Sequence, residues 1–237
     1  MLGFRPTFWP TLMAVPAVLF MLGLGVWQVQ RLHWKEQLIA TIDQRIAAPP
    51  VALPTGDSLD VDAWVYRRVK VTGQFLHERE IHLLAYTERG NLGYHVITPL
   101  ARQDGGYVLV DRGWVPTDKA DPASRAAGQV AGTVTIEGVV RRGWAQGWFV
   151  PDNNVARKQW FYGDLAAMAA SAKVSAPPIL LEAGAAANPG GFPIGGQTQV
   201  TLPNNHLQYA ITWFGMALAL AVIYVVYHRN LAAEAKP

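Results

Sequence analysis

Two long stretches without a charged side chain dominate what this chain can fold into. From Pro6 to Gln30 there is no Asp, Glu, Lys or Arg, and from Leu207 to Tyr227 there is none before Arg229 closes the run. Within the first, "FWPTLMAVPAVLFMLGLGVWQV" is about the length that a helix needs to cross a bilayer. Both runs are read as transmembrane helices, over 8–30 and 205–227. A cleaved signal peptide would have a shorter apolar region and small residues at a cleavage site. Here "WQVQRLHWKE" follows, with no small-x-small pattern.

Between the runs, Arg31 to His206 holds 17 Lys and Arg against 16 Asp and Glu. That balance leaves no basic footprint for nucleic acid. The chain has no cysteine, so disulfides, thiolate metal ligation, covalent c-type haem attachment and a cysteine nucleophile are excluded. Charge does not decide topology: Arg5, Arg229 and Lys236 flank the spans on one side, and Arg31, Lys35 and Arg45 on the other. Two spans return both termini to one side, and a long loop translocates largely regardless of its charge. The termini are therefore expected in the cytoplasm, 228–237 as a cytoplasmic tail, and the central domain outside.

"RLHWKEQLIATIDQRIA" continues the first helix as an amphipathic extension over 31–48, with Trp34, Leu38, Ile42 and Ile46 at helical spacing. Pro49, Pro50 and Pro54 end it. The segments "AWVYRRVKVTGQF", "EIHLLAY", "GYHVITPL", "GYVLVDRGWV" and "GTVTIEGVVRR" are β-branched or aromatic and bounded by turn residues. Late strands are expected at "PPILLEAG" and "TQVTL", and a short helix in "YGDLAAMAASAK", capped by Asp164. The expected fold is a membrane protein: two transmembrane α-helices flank a mainly antiparallel β domain, barrel-like or sandwich, over 49–203, extracytoplasmic and with short helices.

Enzyme signatures are missing: no Gly-rich phosphate loop, no zinc-binding H-E-x-x-H pair and no G-x-S-x-G elbow occurs. His77, His82 and His95 lie on different strand candidates without ligand spacing, and His77 and His82 are expected on different surfaces. "DRGW" reads as a corner, with Asp111 and Gly113 in a tight turn and Trp114 packing below.

His206 stands apart because of its setting. "LPNN" before it supplies a proline stop and two cap-forming residues, which puts the imidazole in the first turn of a membrane helix. Tyr209, Ala210 and Trp213 share its helix face, with Phe214 beside them. An imidazole, a small residue and aromatic rings at the lipid edge suit a flat, apolar, metal-bearing ring system, with His206 as axial ligand to haem iron. The same residues also suit interfacial anchors. Trp27, Gln28 and His33 of the first helix lie toward the same membrane face, Gly23 and Gly25 allow close helix approach, and Pro16 suits a kink. Arg112 and Arg31 are candidate partners for propionates, followed by Arg67, Arg68, Arg141 and Arg142.

In order and spacing, "LGVWQVQRLHWK", "YRRVKVTGQF", "GYHVITPL", "VLVDRGWVP", "GVVRR" and "NNHLQYAITWF" resemble the surfeit locus protein 1 family from about Leu22 to Tyr227. The resemblance implies an inner-membrane assembly factor for haem-copper oxidases and not an enzyme. It implies transient binding of haem A and help in inserting it into cytochrome c oxidase subunit I, with haem A synthase as a further partner. It places the family's histidine on His206, its aromatic positions on Tyr209 and Trp213, and the central domain in the periplasm or the mitochondrial intermembrane space; with no organelle-targeting extension before the first span, a bacterial inner membrane and the periplasm are expected. The alternative is a haem-independent scaffold that stabilises a subunit I assembly intermediate in the membrane.

Overall fold

The computed structural model describes residues 4, 6–56, 59–86, 90–198, 200 and 202–234; Arg5 and Lys236 of the charge comparison lie outside them. Its elements are α1 (Phe8–Ala47), β1 (Val51–Ala52), α2 (Val61–Trp64), β2 (Arg68–Phe75), β3 (Ile81–Tyr86), β4 (Leu92–Arg102), β5 (Tyr107–Pro116), β6 (Thr133–Arg142), α3 (Leu165–Ser171), β7 (Ile179–Ala183) and α4 (His206–Glu234). The chain divides into two compact units, one of Met1–Thr41 with Thr201–Pro237, the other of Ile42–Val200.

The first unit is a helix pair. Both helices contain a window of mean hydropathy 2.0 of which only 11% is buried. A soluble core helix would hide such a surface; here it stays exposed, as lipid as solvent allows. The helix α1 runs through Pro16 without a break in its assignment. Four contacts pair the helices antiparallel. His206 meets Gln28, Gly25 lies against Phe214, Thr11 Oγ1 bonds Tyr224 Oη at 2.6 Å, and Thr7 Oγ1 meets His228 Nε2 at 3.1 Å. Thr7 and Gln28 are separated by about 30 Å along a helix rising 1.5 Å per residue, close to one hydrocarbon thickness. Polar clamps thus bracket an apolar middle in which Gly25 admits the Phe214 ring: a Cβ at Gly25 would lie 2.6 Å from Phe214 Cε1.

The second unit is built on a seven-stranded mixed sheet in the order β1-β2-β6-β7-β5-β4-β3. Most pairings are antiparallel as expected, but β1–β2 and β5–β7 are parallel. The sheet curls, because Gly73–Phe75 of β2 also pairs with Leu100–Arg102 of β4. Alternation then separates two apolar layers. Val69, Val71, Leu100, Val108, Val110, Val140, Ile179 and Leu181 fill one face. Ile81, Leu83, Ile97, Leu109 and Leu180 line the other, covered by Trp160 and by Leu165 and Met168 of α3. Asp164 caps α3 as its sequence suggests, its Oδ1 accepting from Ala167 N at 3.0 Å. The described residues of "TQVTL" form no strand; residues 199 and 201 lie outside the description.

The "DRGW" segment is not a corner. It lies inside β5, where Arg112 and Gly113 together oppose the single Val96 between His95 and Ile97 of β4. This is a β-bulge, stabilised by Gly113 N donating to Asp111 Oδ1 at 2.9 Å. Gly113 has φ of +117°, and a Cβ there would lie 2.0 Å from Ile194 O, so only glycine fits. The extra residue turns Asp111 and Trp114 toward one cavity, while Arg112 stacks over Phe75 elsewhere in the domain.

Candidate functional site

At the start of α4, Tyr209 N donates to Asn205 O at 3.2 Å, so the polar "NN" leads directly into the membrane helix. His206 is half-buried there, and its Nδ1 lies 2.7 Å from Oε1 of the buried Gln28. An amide oxygen only accepts, so Nδ1 carries the proton and donates. The second ring nitrogen, Nε2, is left with its lone pair. A partner that fixes the tautomer and ring direction in this way is what metal-ligating histidines characteristically have.

One turn on, Ala210 is buried, Trp213 is half-buried, and Tyr209 is 54% exposed; Trp27 is 52% exposed on α1. The helix pair therefore presents an oriented imidazole with exposed aromatic rings nearby in the chain. The sequence placed Gln28 toward the correct membrane face without identifying it as the partner of His206. At the other end of the pair it missed His228, which is fully buried. Both its nitrogens are used, Nδ1 at 2.8 Å from Tyr224 O and Nε2 by Thr7. Phe4, Tyr224 and Tyr227 surround its ring. That saturation makes His228 a clamp between helices rather than a ligand.

Arg112 is 2% exposed. Its Nη2 donates to Gly128 O, its Nη1 lies 3.4 Å from His77 Nδ1, and its guanidinium stacks on Phe75 at 4.8 Å. Burial lowers its pKa to about 10, with Glu80 opposing and Arg125 adding to the fall. A propionate could reach this guanidinium only by displacing the groups that enclose it. Arg31, by contrast, stacks on its own helix's Trp34 at 3.8 Å.

Beside Arg112 lies an ion network. Arg125, 1% exposed in its side chain, pairs with Glu80, and Glu80 Oε1 also bonds His82 Nε2 at 2.8 Å. Arg125 Nε further donates to Lys119 O at 2.9 Å. Burial pushes the Glu80 carboxyl up, but hydrogen bonds from His82 and Arg125 outweigh it and hold the group below the ordinary range. His77 and His82, expected on different surfaces, both line one cavity of about 670 Å³. The short 3₁₀ turn His77–Arg79 reverses the alternation between them.

A second polar group sits where the sheet's apolar layer ends. His95 Nδ1 approaches Asp111 Oδ2 at 2.7 Å without good alignment, and Asp111 neighbours Glu182 across the parallel β5–β7 pair. Arg141 Nε lies 3.5 Å from Glu182. Burial lowers the His95 pKa, yet the bond to Asp111 and the charges of Asp111 and Glu182 carry it above the ordinary value of 6.5. Burial raises Glu182 above 4.5 against the pull of Arg141. Both groups hold a proton to higher pH in the folded state than in the unfolded one. Stability therefore falls as pH rises above 4.5 for Glu182 and above 6.5 for His95. Replacement His95→Gln is expected to remove the decline that begins near pH 6.5, worth at most about 1.4 kcal/mol per pH unit. Melting temperatures across that range check it; an unchanged slope refutes the assignment.

The sequence profile of the SURF1 family matches residues 14–218. Among known proteins, the chain is 43% identical over 235 residues to a SURF1-like protein of Monosiga brevicollis, covering 94% of this chain and 88% of that one. It is 41% identical to Surfeit locus protein 1 of Homo sapiens over 229 residues, covering 90% of this chain and 75% of that protein. The Mus musculus protein of the same name is also 41% identical, with 73% of its length covered.

Proposed function

Since the chain belongs to the SURF1 family, we propose that it is a membrane-embedded assembly factor for cytochrome c oxidase that binds haem A transiently and assists its insertion into subunit I. The observation that carries this reading is the hydrogen bond from His206 Nδ1 to Gln28. It leaves Nε2 as the available nitrogen and points the imidazole from a fixed helix register. In this proposal the two helices lie in a bacterial inner membrane and the Ile42–Val200 domain on its periplasmic side, with haem A synthase as the source of cargo.

The residues fit such a group. His206 would hold the iron, and Tyr209, Trp213 and Trp27 would contact the flat ring. Haem A, when bound, would supply an iron able to take an imidazole nitrogen and an apolar tail that tolerates lipid. Gln28 holds the proton on Nδ1, which keeps Nε2 basic and oriented. Because His206 is half-buried at a helix start, its side chain can release a ligand without unpacking a core.

Purification from cells that make haem A, followed by visible spectroscopy and titration with haem A, tests the reading. A saturable spectrum with imidazole-ligated iron supports it. A preparation that is isolated colourless and shows only the spectrum of free haem A through the titration favours a second reading, a scaffold that stabilises a subunit I intermediate without touching haem. One observation favours that rival: a hydrogen bond between two membrane helices is also packing glue, worth about 0.6–2 kcal/mol.

A further inference from the structure

Residues 143–163, between β6 and α3, form an ordered excursion from the sheet. Its returning limb is pinned by the buried Trp160, whose carbonyl accepts from Leu84 N at 2.8 Å. Asn153 Oδ1 accepts from Phe161 N at 2.7 Å, and Asn154 and Gln159 form an antiparallel bridge. At the far end, Val150 N donates to Gly147 O at 3.1 Å and Gln146 Nε2 donates to Val150 O at 2.6 Å. This tight turn puts Trp148 and Phe149 at its two corner positions, which polar residues, glycine and proline normally fill. Both side chains are 100% exposed. A well-bonded turn thus holds two large aromatic rings entirely off the protein.

We propose that the Gly147–Val150 tip is a membrane-surface anchor, with Trp148 and Phe149 seated at the boundary of lipid headgroups and acyl chains. Indole rings favour that depth, and an apolar surface there is buried by about 5–10 Å. The domain is joined at both ends to helices that have the length and hydropathy of membrane spans. Tethering of that kind keeps a bilayer at high effective concentration around the loop. The excursion also carries exposed Arg157 and Lys158 against one acid, Asp152, which favours anionic headgroups. A partner protein would require a matching pocket; a fluid interface accepts two protruding rings without one. The inference does not depend on haem binding.

Because the chain has no cysteine, Ala145→Cys accepts a single spin label and leaves both rings in place. The full chain is labelled, reconstituted in phosphatidylcholine nanodiscs with and without added phosphatidylglycerol, and probed by collision with oxygen and with a water-soluble nickel chelate. The expected result is an oxygen-to-nickel ratio several-fold above that of the same label in a Trp148→Ser/Phe149→Ser chain, rising further with the anionic lipid. A nickel-rich, water-like signal in both chains overturns the proposal. So does a label shielded from both reagents, which would mean contact between copies of the protein.

Discussion

If the proposed haem site is right, replacing His206 with Ala is expected to strip haem A from the purified protein while expression and the circular dichroism of the helices stay unchanged. In the proposed site the imidazole would supply the iron-ligating atom, so its loss should exceed the roughly 10–100-fold in affinity that losing a partner of a ligating group costs. Gln28→Leu is expected to produce that smaller loss: Nε2 remains, but nothing holds the proton on Nδ1 or fixes the ring. Added imidazole is expected to restore the spectrum of a His206→Gly chain, because a free ligand can occupy the vacated volume. Unchanged haem occupancy in His206→Ala refutes the ligand assignment and leaves the family membership untouched. Loss in His206→Ala with wild-type affinity in Gln28→Leu would confine the error to the orienting bond.

The largest effect on stability comes from Glu80→Ala. This substitution leaves the Arg125 guanidinium buried without its counter-ion, and breaking a buried pair on one side costs about 3–5 kcal/mol. For a domain of this size, that lowers the melting temperature by roughly 6–20 °C. The double change Glu80→Met/Arg125→Met recovers much of the loss, since apolar replacement of a whole buried pair is often neutral. Thermal unfolding of the full chain in detergent checks both. A single variant that melts within about 2 °C of the parent would mean that solvent reaches the guanidinium and that the pair is worth no more than a surface one. The depressed carboxyl also makes the pair acid-sensitive: its contribution is present above pH 4.5 and is lost as pH falls below it.

The spans were legible because lipid imposes a one-dimensional rule: no charge for about twenty residues. Several strands were legible for a related reason, alternation, as Val69 and Val71 buried against Arg68 and Lys70 outward illustrate. What depends on distant pairing was not. Parallel β5–β7 contact joins residues about seventy apart, and nothing local distinguishes it from an antiparallel hairpin. The glycine in "DRGW" was read as a tight turn, but the positive φ that it adopts serves turns and bulges alike, and the partner strand decides which. The bulge in turn decided the fate of Arg112, an arginine that composition alone would leave at the surface. At the candidate site the histidine and its aromatic neighbours were visible on one helix. Its partner was 178 residues away on another.

The clamps at both ends of the helix pair carry a mechanical consequence. Sliding one helix past the other by a single turn would break the bonds of His206 and His228 together. The pair therefore works as a fixed jamb and not as a piston. In the proposed carrier, cargo at the membrane rim would therefore move by the swing of side chains on a stationary frame.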